Sequence, residues 1–102
     1  MSIKKELFGT HRGCDIYKYT LENENEMSVA ISNFGATILS INVPDKNGEV
    51  ADVICGYDDL QSYVEADGYQ GAIIGRVGNR ICRGNFSLDG VDYHMYINNG
   101  PN

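Results

Sequence analysis

Between Phe86 and Tyr93 the chain reads Phe-Ser-Leu-Asp-Gly-Val-Asp-Tyr, and this stretch restricts the fold more than any other. Asp-Gly accepts the positive φ angles of a two-residue reversal, the tight turn whose twist matches that of paired strands. A reversal at Asp89-Gly90 sets Leu88 opposite Val91, Phe86 opposite Tyr93 and Gly84 opposite Met95, with Ser87 opposite Asp92. The apolar side chains then share one face and Ser87 and Asp92 the other. Turn chemistry and hydrophobic register agree independently, so a hairpin is predicted here.

The rest of the chain follows the same grammar. Tyr17, Tyr19 and Leu21 alternate with Lys18, Thr20 and Glu22, the period of a half-buried strand, and Asn23-Glu24-Asn25-Glu26 supplies a polar turn. Met27, Val29 and Ile31 predict a second alternating strand, and Leu39, Ile41 and Val43 a third, with Gly35 at the bend between them. A helical spacing also exists through Met27, Ile31, Phe34, Ile38 and Ile41, but Gly35 and the β-branched residues favour strand. Pro44-Asp45-Lys46-Asn47-Gly48 reads as a turn in which Asn-Gly provides positive φ, and Val50–Tyr57 as the next strand. Asp58 can cap a short helix with Leu60, Tyr63 and Val64 on one face and Gly68 beyond its end. Twelve glycines against two prolines suit short strands joined by turns. The expected fold class is all-β, an antiparallel sandwich with one short helix, and residues 1–102 form a single domain. At this length a compact domain buries about 65% of its unfolded surface.

Charge narrows the partners. Eight Lys and Arg against fourteen Asp and Glu leave a net charge of −6, the wrong sign for a nucleic-acid backbone or an anionic membrane. No apolar run approaches the ~18 residues of a membrane-spanning helix, and no apolar core follows Lys4-Lys5 as it would in a secretory signal. Cys14, Cys55 and Cys82 are odd in number and lack metal-ligand spacing, so reduced thiols, no metal and a cytoplasmic setting are expected. The sequon Asn85-Phe86-Ser87 then has no reason to be glycosylated.

One segment stands apart. Gly75-Arg76-Val77-Gly78-Asn79-Arg80-Ile81-Cys82-Arg83-Gly84 gathers three of the four arginines of an acidic chain among glycines. It lacks the spacing of a phosphate loop. Guanidinium forks and an amide suit neutral hydroxyls, as on a sugar, with Asn79 and Arg80 as donors and acceptors. The plain alternative is that these arginines pair with surface carboxylates. His11 and His94 read as surface histidines, Asp58-Asp59 as capping residues, and Tyr17, Tyr19 and Tyr93 as packing residues rather than a sugar-stacking wall.

Gly75-Arg76-Val77-Gly78-Asn79-Arg80-Ile81, followed by Gly84, Phe86, Leu88-Asp89-Gly90 and Tyr93, resembles the aldose 1-epimerase (galactose mutarotase) family. Asn33-Phe34-Gly35-Ala36, Val43-Pro44-Asp45 with Gly48, Asp52-Val53 with Gly56-Tyr57, and Asn98-Asn99-Gly100-Pro101-Asn102 continue the likeness in order over nearly the whole chain. The resemblance implies a β-sandwich of the galactose-mutarotase type binding a free hexose. It implies interconversion of α and β anomers without cofactor or metal, by a glutamate base and a histidine acid acting on a ring that opens and recloses. Asn79 and Arg80 match the family's sugar-contacting pair, the substrate-binding residues expected here. Family members are several times longer. Their acid histidine, substrate-binding aspartate and base glutamate fall after the point matched by Asn102, so no catalytic residue is placed within this chain. The expectation is an N-terminal part of a mutarotase, an incomplete domain that either self-associates or joins a missing C-terminal segment. A non-catalytic carbohydrate-binding module derived from the same fold is the alternative.

Overall fold

The computed structural model describes all 102 residues. Five strands, β1 (Ser2–His11), β2 (Cys14–Glu22), β3 (Ser28–Ser32), β4 (Ile38–Pro44) and β5 (Val50–Asp52), form one antiparallel sheet in sequential order. A short helix, α1 (Leu60–Glu65), follows, then an irregular segment and a 3-10 turn at Cys82–Gly84. The hairpin of β6 (Asn85–Leu88) and β7 (Val91–His94) makes a second, two-stranded sheet. The all-β antiparallel class with one short helix is as expected. No helix is long and apolar enough to cross a membrane.

The hairpin has the anticipated register, Phe86 against Tyr93 and Leu88 against Val91, with Asp89 at φ 51° and Gly90 at φ 76°. The Phe86 and Tyr93 rings stack with centroids 5.1 Å apart, and the Met95 amide donates to the Gly84 carbonyl at 2.7 Å, extending the pairing by one step. Asn33-Phe34-Gly35-Ala36 joins β3 to β4. The Asn33 side chain accepts from the Tyr17 amide at 2.9 Å while its own amide donates to the Tyr17 carbonyl at 3.1 Å, so the turn is stitched to β2. In the β4–β5 turn the organiser is Asp45 rather than Asn47. Its carboxylate accepts from the Asn47 amide at 2.7 Å and the Glu49 amide at 3.0 Å, and only Gly48 has positive φ.

One strand lies outside the expectations and two expectations need correction. Strand β1 is the longest, yet nothing in its sequence announced it. Its turn is Arg12-Gly13, both at positive φ, and a bulge between Leu7 and Gly9 breaks the alternation. The strand expected over Val50–Tyr57 ends at Asp52, because that carboxylate takes the Ile41 amide at 3.0 Å and the Ile54 amide at 3.2 Å in place of the backbone ladder. The helix cap is Asp59, not Asp58: its carboxylate accepts from the Ser62 amide at 2.7 Å. Those hydrogen bonds hold the Asp59 pKa below its ordinary 3.8. A carboxylate with a lowered folded pKa supports the helix above its unfolded pKa and loses that support as pH falls through the folded one. Protection factors across Leu60–Glu65, corrected for the intrinsic pH dependence of exchange, are therefore expected to fall below about pH 4 and in Asp59→Ala at neutral pH. Unchanged protection in Asp59→Ala would remove the cap as the cause.

Burial is thin and one-sided. Helix α1 lies over the end of the sheet where Gly9 faces Ile16. A Cβ on Gly9 would stand 2.8 Å from the Leu60 side chain, and Phe8 and Tyr57 both pack against the Tyr63 ring. Ile16, Leu39 and Leu60 are buried there, and six residues in all are buried. The accessible surface is 8050 Å², against about 5,700 Å² for a compact protein of this mass. The radius of gyration is 18.0 Å, against about 13 Å for a compact domain of this length. Burial on folding is thus roughly half of the extended-chain surface rather than 65%. Exposed apolar side chains lie on both sheets, Ile3 and Leu7 on one and Leu88 and Val91 on the other, and in the irregular segments at Tyr69, Ile74, Val77 and Tyr96.

Candidate sugar-binding site

The Gly/Arg/Asn segment is tied to the sheet at its start. Ile38, the first residue of β4, donates its amide to the Gly71 carbonyl at 2.8 Å, and Gly71 takes φ +68°. From there residues 72–80 run without regular secondary structure, exposed along one side of an open cavity of about 590 Å³. Ligand pockets for small molecules fall in the range of roughly 300–1,000 Å³.

Asn79 and Arg80 both line this cavity. Asn79 sits at φ 73°, a left-handed conformation asparagine tolerates better than most residues, which turns the chain toward Arg80. The Arg80 Nε donates to the Asn99 side-chain oxygen at 2.8 Å, joining the segment to the end of the chain nineteen residues on. That end folds on itself: the Asn98 and Asn99 amides donate to the Asn102 carbonyl at 3.0 and 2.9 Å, and the Asn102 amide returns to Asn99 at 3.1 Å. Asn98, Asn99 and Asn102 therefore stand on the same cavity as Asn79. Sequence reasoning quoted Asn98-Asn99-Gly100-Pro101-Asn102 only as a likeness and assigned it no role. The available signal was the spacing of three amides around Gly-Pro, the means of presenting several amide donors and acceptors on one tight turn.

Chemically, the site offers side-chain amides that both donate and accept, one guanidinium with its Nη donors uncommitted, and apolar side chains from Ile73, Ile74 and Val77. Tyr69 stands at the rim, 89% exposed. No Asp, Glu or His lines the cavity. Such a surface suits a neutral, hydroxyl-rich ligand. No cluster of three or more His, Cys, Asp or Glu side chains occurs in the structure.

The plain alternative for the arginines does not hold. The two ion pairs of the chain, Lys4 Nζ to Glu6 at 3.1 Å and Lys18 Nζ to Glu6 at 3.6 Å, involve no arginine. Arg76 and Arg83 line neither the cavity nor a carboxylate, and Arg83 occupies the 3-10 turn at φ 54°. The histidines are elsewhere: the His11 ring meets Phe34 edge-on at 5.4 Å, and His94 Nδ1 lies 2.6 Å from the Asn85 side-chain oxygen. Ser87 and Asp92 are hydrogen-bonded beside that pair on the polar face of the hairpin. Tyr17 and Tyr19 are half-buried strand residues, whereas Tyr93, read as a packing residue, is 44% exposed and stacks on Phe86. The three cysteines are free.

Comparison with known proteins shows the family. The family model described as "Aldose 1-epimerase" matches residues 17–102. Bovine galactose mutarotase is 42% identical over 87 residues, covering 85% of this chain and 25% of that protein. The human galactose mutarotase is 38% identical over 103 residues, covering 99% and 30%. Among solved structures, a galactose 1-epimerase from Lactobacillus acidophilus superposes on 98% of this chain and 29% of its own with a TM-score of 0.75 at 22% identity, a likeness of fold. The aldose epimerase homologue from C. elegans does so over 80% and 25% with a TM-score of 0.68 at 34% identity. The chain spans about 30% of the length of the relatives it matches. With the match running through the Asn79-Arg80 segment and the Asn99 turn that anchors it, the chain belongs to the aldose 1-epimerase family.

Proposed function

We propose that this chain supplies the Asn79–Arg80 wall of a hexose site in an aldose 1-epimerase, acting on a free hexose of the galactose or glucose class. The observation carrying the reading is the convergence of Asn79, Arg80 and the Asn98–Asn102 turn on one open cavity, with Arg80 held at 2.8 Å by Asn99.

Anomer interconversion begins with loss of the proton from the anomeric hydroxyl and gain of a proton at the ring oxygen. Two groups in opposite protonation states must therefore flank the C1 region. The ring opens to the aldehyde, the C1–C2 bond rotates, and closure on the other carbonyl face gives the other anomer. Arg80 holds a hydroxyl or ring oxygen in a fixed orientation and offsets negative charge as it develops. Asn79 both donates and accepts, so it can hold a neighbouring hydroxyl in either sense. The proton donor and acceptor come from outside these residues: the cavity carries no Asp, Glu or His, and His11 and His94 are engaged elsewhere.

Polarimetry on fresh α-galactose and α-glucose tests the reading, with the chain first shown to be folded. No acceleration over the spontaneous rate is expected from these 102 residues alone. Acceleration that disappears in Arg80→Ala would mean that acid and base both reside here, and would send attention back to His94 and His11. The amide-rich cavity also favours a second reading, a non-catalytic carbohydrate-binding module. Saturable NMR shifts at Asn79, Arg80 and Asn99 on titration with either sugar, without mutarotation, would select it.

A further inference from the structure

The chain contains Asn47-Gly48 and Asn99-Gly100, and both steps are exposed. A glycine after asparagine puts no Cβ beside the following amide nitrogen, which can then reach the asparagine Cγ. The fold treats the two steps differently. Gly48 closes its turn: its amide donates to the Asp45 carbonyl at 3.0 Å, and the Asn47 amide donates to the Asp45 carboxylate at 2.7 Å. Gly100 instead takes the second position of a turn from Asn99 to Asn102, closed by the Asn102 amide on the Asn99 carbonyl at 3.1 Å. The Gly100 amide makes no hydrogen bond within the chain, and its φ is +60°. Beside it, the Asn99 Oδ1 accepts from the Arg80 Nε at 2.8 Å.

We propose that Asn99 is a site of spontaneous deamidation, assisted by Arg80. The Gly100 amide gives its proton to solvent base, and its nitrogen attacks the Asn99 Cγ. As the N–Cγ bond forms, negative charge gathers on Oδ1, and the guanidinium stabilises that charge more than it stabilises the neutral carbonyl. The Cγ–Nδ2 bond breaks, Nδ2 takes protons from solvent and leaves as ammonia, and a succinimide ring remains. Water opens the ring at either carbonyl to give aspartate or isoaspartate. One water is consumed, one ammonia is released and nothing is oxidised. At Asn47 the attacking amide must first give up its bond to Asp45. The product at Asn99 is a carboxylate against the Arg80 guanidinium, on a cavity that no Asp, Glu or His lines. Where that cavity takes a sugar, as proposed above, the new carboxylate competes with its hydroxyls for Arg80.

Peptide mass mapping of the folded chain, held at mildly alkaline pH, counts conversion of amide to carboxyl at each site. Asn99 is expected to convert ~50-fold faster than Asn47, about 5-fold from the hydrogen bond that Gly48 must break and ~10-fold from the charged donor on Oδ1. In urea the two steps are expected to react at similar rates. Arg80→Ala is expected to cut the lead of Asn99 to about 5-fold, with Asn47 in the same molecules reporting that the fold is kept. Should Asn47 accelerate toward its urea rate in that variant, the folded-to-urea comparison of the unaltered chain decides. Asn47 converting as fast as Asn99 in the folded chain overturns the proposal. So does a lead that persists in urea, which assigns it to local sequence. A lead that Arg80→Ala leaves intact or widens also overturns it, making the guanidinium a clamp on Asn99 rather than an aid to attack. The rates are read without any sugar, so failure here and failure of the sugar-site reading are separate results.

Discussion

Replacing Gly71 with alanine is expected to dislodge the candidate-site segment from the sheet, at a cost of about 3 kcal/mol. Two independent penalties combine. Gly71 takes φ +68°, where an L side chain costs about 1–2 kcal/mol. An added Cβ would also stand 2.0 Å from the Ile38 carbonyl oxygen, far inside contact, and backbone is what it meets, not the end of a side chain that could move aside. Relief requires Gly71 to withdraw, and withdrawal lengthens the 2.8 Å hydrogen bond from the Ile38 amide, worth a further ~1 kcal/mol. Gly13→Ala provides the comparison. Gly13 takes φ +76° with nothing within 4 Å of the added carbon, so it incurs the conformational cost alone. Urea unfolding of both variants, with amide exchange read at Ile38, separates the terms. Equal losses for Gly71→Ala and Gly13→Ala, with Ile38 still protected, would sink the claim that this contact positions the site.

What could be read in the sequence divides along the range of the forces involved. The β6–β7 hairpin was legible because its determinants are local: a two-residue turn that needs positive φ, and alternation that fixes the register once the turn is placed. The same logic failed at β1–β2. Arg12-Gly13 makes an equivalent reversal without the asparagine or aspartate that advertises one, and Phe8, extra in the bulge, shifts the alternation. Side-chain capping was equally hard to localise. Asp58 and Asp59 offer the same chemistry one residue apart, and Asp52 ends a strand by accepting amides that its neighbours would otherwise pair. Of the candidate site, Asn79 and Arg80 stood out because arginine and glycine are concentrated there. Asn99 did not, since its contact with Arg80 spans nineteen positions and exists only once the chain has returned to the cavity. The shortfall in burial has the same character. Periodicity says which residues want cover, and it says nothing of what covers them.

Arg80 carries the largest expected effect on catalysis. Grafted in place of the matching stretch of a full-length galactose mutarotase, this chain with Arg80→Ala is expected to lose ~10²–10³-fold in kcat/KM, the range for removing one oriented donor to developing charge. Arg80→Lys is expected to fall nearly as far. The guanidinium keeps Nε on Asn99 while its Nη donors stay in the same plane, and a single ammonium cannot hold both relations at once. Asn99→Ala leaves the guanidinium present but unanchored. A loss of about 10-fold is expected there, carried mostly by KM, because orientation rather than charge is removed. None of these three changes introduces or deletes a group titrating near neutrality, so the pH profile of the graft should keep its shape while its height falls. A twofold or smaller change in Arg80→Ala would contradict the assignment of Arg80 to the substrate. A displaced pH profile would mean instead that Arg80 acts on the proton-transferring groups, setting their protonation states across the cavity rather than holding the sugar.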